Sequence, residues 1–144
     1  MIEHLQKIIT RIGWSFKIYS SGTNQNLEML SIYPAKEDLA NIDEVTFLLM
    51  PFGESPDHCE LLQVYFQFPF LINKENLELY WFICEVNKFL PLGHFNIAQN
   101  EDVIYYKAVF PFDSYFTVDQ LVDTTNLILW ASDEYQDRFA AYQI

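Results

Sequence analysis

Hydrophobic and polar positions change period several times along this chain, and each change marks an element. Leu5, Ile8, Ile9 and Ile12 recur at helical spacing and Gly13 stops the run, which predicts an amphipathic helix with one covered face. Trp14, Phe16 and Ile18 then alternate with Ser15, Lys17 and Tyr19, the period of a strand. A polar turn cluster at 21–26 leads to a second predicted strand over 27–33, which Pro34 stops. A polar loop follows over 36–43, then a third strand over 44–50. The clearest alternation lies at 60–68, where Leu62, Val64, Phe66 and Phe68 face one way and Leu61, Gln63, Tyr65 and Gln67 the other.

The pattern breaks at 74–90. Leu77, Leu79, Tyr80, Trp81, Phe82, Ile83, Cys84, Val86, Phe89 and Leu90 leave no polar side wide enough for water, with Asn73 as the cap and Pro91 as the stop. A helix that is apolar all round has to be covered. It is therefore expected at the centre of the fold, with Trp81 in the core and Cys84 as a small buried hydrophobe. A hairpin follows, with strands at 95–98 and 103–110 around Gln99-Asn100-Glu101-Asp102. Thr117-Val118-Asp119-Gln120 is a capping box for a last helix. Its apolar face holds Val118, Leu121, Val122, Thr125 and Leu129, with Ile128, Tyr135 and Phe139 beside it, while Asp133, Glu134 and Asp137 face water.

These elements add up to an α+β fold: a single antiparallel sheet packed against helices in the order α-β-β-β-β-α-β-β-α, with residues 1–144 as one domain. One internal echo stands out, Phe68-Pro69-Phe70 and Phe110-Pro111-Phe112. Each closes a strand, because proline cannot donate to the ladder. Structural punctuation is the reading adopted for both, ahead of a recognition motif.

Composition removes several classes. With 51% hydrophobic and 17% aromatic residues, the chain has the apolar surface that disordered segments lack. No apolar run reaches the length of a membrane span, and Met1 to Lys7 lacks the features of a signal peptide, so a cytoplasmic, soluble protein with no membrane partner is expected. Twenty acidic residues against eight basic ones give a net charge of −12, and the basic residues are scattered. Phosphate binding needs clustered cations, so a nucleic-acid partner is not expected. The charge serves solubility, or steers a basic partner. In a reducing compartment Cys59 and Cys84 are expected as free thiols.

The stretch Val86-Asn87-Lys88-Phe89-Leu90-Pro91-Leu92-Gly93-His94-Phe95-Asn96-Ile97, followed by Val103 to Pro111, resembles the YbjN family and, more broadly, the type III secretion chaperone-like fold. Asn87, Gly93, Phe95 and Pro111 match the family pattern of an Asn-bearing helix end, a Gly-x-Phe strand, a turn and a strand closing on a proline. The early Pro91 and the long loop at 34–43 depart from it. The resemblance implies a protein-binding scaffold that often dimerises and has no known catalytic residues.

The reactive residue types form no strong catalytic or ligand pattern. Asp57-His58-Cys59-Glu60 gathers reactive types, but consecutive residues rarely converge on one ion, and an exposed polar loop explains them. His4 and His94 have no paired motif, and His94 is expected on a strand's solvent face. The four glycines are isolated, so there is no phosphate loop. Glu78 and Glu85 lie two helical turns apart, about 10 Å, and read as a polar stripe more simply than as an acid–base pair. No catalytic residue, cofactor or metal is expected, and the chain is not expected to be an enzyme.

The remaining signal is an apolar outer sheet face. Val45, Phe47 and Leu49 point in and Thr46, Leu48 and Met50 out; Ile104, Tyr106, Ala108 and Phe110 point in and Val103, Tyr105, Lys107 and Val109 out. Leu61, Tyr65, Tyr105 and Val109 are thus the candidate partner or dimer surface, unless a helix covers this face. The expected function is a non-catalytic protein-binding module, an adaptor or regulator with a protein partner or a second copy of itself. The alternative is an acidic inhibitor or immunity-type protein that blocks a basic partner.

Overall fold

A computed structural model describes residues 2–20, 28–33, 44–51 and 60–144, and in them the alternating segments join into one six-stranded antiparallel sheet. The order along the chain is α1 (Ile2–Ile12), β1 (Ser15–Ser20), β2 (Glu28–Tyr33), β3 (Val45–Pro51), β4 (Glu60–Gln67), α2 (Leu77–Asn87), β5 (His94–Ala98), β6 (Val103–Phe112) and α3 (Val118–Ala140). This is the expected α-β-β-β-β-α-β-β-α sequence. Across the sheet the strands run β1-β2-β3-β4-β6-β5, so β6 sits between β4 and its hairpin partner β5. The turn at 21–26, the loop at 36–43 and Asp57, His58 and Cys59 lie outside the described residues.

One face of the sheet is the core. Leu30, Ile32, Val45, Phe47, Leu49, Leu62, Val64, Phe66, Ile104, Tyr106 and Ala108 are buried, joined by Leu5, Ile8 and Ile9 of α1 and by Leu121, Ile128, Tyr135 and Phe139 of α3. The period of two sorts the β3, β4 and β6 residues among these as expected, while Val103, expected outward, is buried at the start of β6. The Thr117 hydroxyl accepts from Gln120 N and the Gln120 side chain accepts from Thr117 N, so the capping box that begins α3 is complete. His4 Nε2 lies 2.8 Å from Phe116 O, which ties α1 to the connection entering α3.

The first Phe-Pro-Phe segment follows the end of β4 at Gln67 as expected, whereas the second lies within β6, where Phe110, Pro111 and Phe112 pair with Leu62, Leu61 and Glu60. Phe68 stacks on Phe70 (5.5 Å), and Phe110 and Phe112 both meet Phe116 (5.8 and 4.9 Å). Pro111 is paired with Leu61 on the part of β6 that runs past the end of β5, where, among the described residues, β4 alone lies alongside.

The long helix departs from expectation. It begins at Leu77 rather than at residue 74, and the side chain of Asn76, not Asn73, caps it by accepting from Glu78 N. It ends at Asn87, eleven residues in all, with a turn before Pro91. It is also not central. Leu79, Ile83 and Val86 are buried, whereas Leu77 (81% exposed), Trp81 (71%) and Phe89 (73%) stand in solvent, and Cys84 is an exposed free thiol. The expectation of a buried Trp81 and a buried Cys84 is therefore corrected. The reason is topological: α2 packs beside the last strand, β5, and against the end of α3 through Phe82 and Phe139 (5.1 Å). A helix at the margin of a sheet meets neighbours on one side only.

The opposite margin behaves alike. Phe16 and Ile18 pair with the buried Ile32 and Leu30, hence share the core face, yet both are exposed on the outermost strand β1.

Candidate functional site

The outer sheet face is built by the other half of each alternation. Its rows follow from the register. Met29 pairs with Leu48, Leu48 with Gln63 and Gln63 with Val109, while Met50 pairs with Leu61 and Leu61 with Pro111. Thr46 pairs with Tyr65, Tyr65 with Lys107 and Lys107 with His94. The three helices contribute to the single core cluster on the other face, and these outer residues are half-buried or exposed, with Val109 at 43%.

All four candidate residues lie on this face, and they form two neighbourhoods. Tyr65 and Tyr105 are diagonal neighbours whose rings stack at 5.3 Å and 25°. The His94 ring meets Tyr105 edge-on at 6.4 Å, and the Tyr65 hydroxyl donates to Gln67 Oε1 at 3.1 Å. Leu61 and Val109 occupy the same diagonal relation two steps along, and Leu48, Met50 and Met29 extend that apolar ground toward β2. Gln63 and Lys107 stand between the two groups.

Electrostatics sets this face apart. Burial raises the Tyr65 phenol above its ordinary value, with the Glu101 carboxylate and Tyr105 adding to the effect. Burial lowers the His94 imidazole, and the Lys107 ammonium lowers it further. In a chain of net charge −12, the outward positions of the described strands carry Lys17 and Lys107 and no carboxylate. Glu44, just before β3, and Glu101, in the β5–β6 turn, stand at the margin.

A second surface was not foreseen. Leu77, Trp81 and Cys84 recur at spacings of four and three on the uncovered side of α2, with Glu78, Phe82 and Glu85 beside them. A groove there is lined by Leu77, Glu78, Trp81, Phe82, Glu85 and Tyr142. The available signal was the pair of carboxylates. Glu78 and Glu85 flank Trp81 on the helix and mark its water side, opposite Leu79, Ile83 and Val86. Lys88 pairs with Glu85 at 2.7 Å, and Arg138 lies over the Phe82 and Tyr135 rings at 5.0 and 5.4 Å.

Among the described residues no three His, Cys, Asp or Glu side chains gather as metal ligands, and no helix is long and apolar enough to cross a membrane.

The connection from α2 into β5 and on to β6 carries the features that decide identity. Asn87 brackets Phe95 through two hydrogen bonds, and Gly93, at φ +73°, lies beneath the Tyr106 ring. The model of the YbjN family, described as "putative bacterial sensory transduction regulator", matches residues 2–141. The chain belongs to the YbjN family. No curated protein matches it. In this YbjN-family chain Asn87, Gly93 and Phe95, which carry the resemblance in the sequence, build the junction between helix and hairpin, and Pro111 sits where β6 outruns β5. The family description is that of a regulator, which agrees with the expected class. The outer sheet face and the α2 groove are separate surfaces of the same YbjN scaffold.

Proposed function

We propose that this chain is a non-catalytic protein-binding regulator, an adaptor that acts by contact, and that its outer sheet face is the surface on which two copies meet. One observation carries the reading. The outward positions of the described strands carry aliphatic, aromatic and amide side chains with Lys17 and Lys107 and no carboxylate, Glu44 and Glu101 standing at the margin, in a chain that is otherwise strongly acidic. Two acidic copies can approach across such a face without setting carboxylate against carboxylate. A two-fold axis would use Leu61, Tyr65, Tyr105 and Val109 of both copies.

The test is light scattering beside a melting curve. The wild type is expected at the mass of two chains. Replacing Tyr65 and Tyr105 together with Ser is expected to shift it to one chain while leaving the folded chain intact. A wild type that stays at one chain at micromolar concentration, or a double variant that melts far earlier, overturns this use of the face.

The rival reading, an acidic inhibitor or immunity-type protein, is favoured by the carboxylates that gather on the helical side, Glu78 and Glu85 among them. Recovery of one tight basic partner in a pull-down, with no self-association, would support that reading instead.

A further inference from the structure

The helical side carries what the sheet face lacks. The groove beside α2 is lined by four apolar or aromatic side chains and two carboxylates, with no cation among them. Leu77 and Trp81 are mostly in water, although large exposed apolar side chains are costly to leave bare when they lie together. Glu78 and Glu85 are seven residues apart on one side of α2, about 10 Å, and Trp81 stands between them. Two cations lie near without lining the groove: Lys88 pairs with Glu85 at 2.7 Å, and Arg138 sits over the Phe82 ring at 5.0 Å.

From this arrangement we infer that the α2 groove takes a basic amphipathic helix from a partner protein, its apolar anchor seated against Trp81 and Phe82 and two Lys or Arg residues, about two turns apart, over Glu78 and Glu85. The inference rests on the adaptor reading but not on the outer sheet face. A helix laid along α2 matches the groove in kind, since anchors at i and i+4 recur at the spacing of Leu77 and Trp81, which line it. Charge selects the occupant. A second copy would bring net −12 to a site that already holds two carboxylates, whereas a basic segment neutralises them.

The probe is a synthetic helix-forming peptide with leucines at i and i+4 and lysines seven residues apart. It is compared by calorimetric titration with the same peptide bearing glutamates in place of the lysines. The lysine peptide is expected to bind and to weaken as salt is raised from roughly 50 to 150 mM. Trp81→Ala is expected to weaken it at least about tenfold, as loss of a central aromatic anchor does. Glu78→Gln with Glu85→Gln is expected to weaken it about tenfold through the lost charge pairs. The Tyr65→Ser, Tyr105→Ser variant is expected to bind as the wild type does.

No binding of the lysine peptide, equal binding of the glutamate peptide, or indifference to Trp81→Ala overturns the inference. So does light scattering in which Trp81→Ala dissociates a dimer, because the groove then belongs to a second copy. Failure of the sheet-face contact shows separately, as a one-chain wild type whose peptide titration is unchanged.

Discussion

The side-chain amide of Asn87 satisfies both main-chain groups of Phe95. Its Nδ2 donates to Phe95 O at 2.9 Å, and Phe95 N donates to its Oδ1 at 2.8 Å. Phe95 lies on the last strand of the sheet, whose side away from β6 has no further strand among the described residues. Asn87 supplies there what a seventh strand would have supplied, and it fixes the end of α2 to the strand that α2 covers. Because Phe95 is fully buried among Phe66, Phe68, Tyr135 and Phe139, the pin also sets the position of a core ring. Asn87→Ala is expected to cost about 1–3 kcal/mol by leaving both groups without a partner. Asn87→Asp is expected to remain destabilised, since a carboxylate cannot donate to Phe95 O. Denaturant unfolding of the two variants checks this.

Gly93 and Tyr106 form a second lock. Gly93 holds φ +73°, and a Cβ there would run into the Tyr106 hydroxyl and lie 2.7 Å from Lys107 O. Gly93→Ala is therefore expected to destabilise by about 2–4 kcal/mol. The Tyr106 hydroxyl donates to Leu92 O at 2.6 Å, and burial pushes its pKa up to about 12. Because the unfolded phenol ionises near pH 10, the stability this adds is complete below about pH 10 and is lost as pH rises toward 12. Tyr106→Phe is expected to be less stable than the wild type at pH 8 and to gain on it between pH 10 and 12. Paired unfolding curves across that range are the measurement.

Trp81 and Phe139 should differ sharply. Trp81→Ala removes a large side chain that is already in water, so stability is expected to change by no more than about 0.5 kcal/mol. Phe139 is fully buried and touches Phe68, Phe82, Phe95 and Tyr135, and Phe139→Ala is expected to cost about 3–5 kcal/mol. If Trp81→Ala proved as costly as Phe139→Ala in thermal melts, the marginal placement of α2 would be wrong.

His94 gives the outer face a pH dependence. Burial first and Lys107 second hold its imidazole below the usual value, so the folded chain favours the neutral ring. Its contribution to stability is present above about pH 6.5 and is lost as pH falls through the lowered value. Any contact between copies on this face is expected to weaken over the same range, because a charged His94 beside Lys107 doubles the positive charge there. An NMR titration of the ring should give a midpoint below 6.5, and Lys107→Met should raise it.

Much of this was legible in the residues themselves, for a physical reason. A period of two assigns every side chain of a strand to one face or the other, so Leu62, Val64 and Phe66 could be set against Leu61, Gln63 and Tyr65 without knowing the neighbours. Local hydrogen bonding is equally self-contained, which is why Thr117 and Gln120 announced the start of α3. The Asn87-to-Pro111 stretch carried the family likeness because its residues answer to one another across a short span of chain. Burial of a helix is different. The apolar run from Leu77 to Phe89 says that some side of α2 is covered, but not how many sides, because covering depends on elements distant in sequence. Only the strand order, with β6 inserted between β4 and β5, sends α2 to the margin of the sheet. That placement leaves Leu79, Ile83 and Val86 in the core and Trp81 in water. The pairing of Tyr65 with Tyr105, and their separation from Leu61 and Val109 by Gln63 and Lys107, likewise waited on the register between β4 and β6.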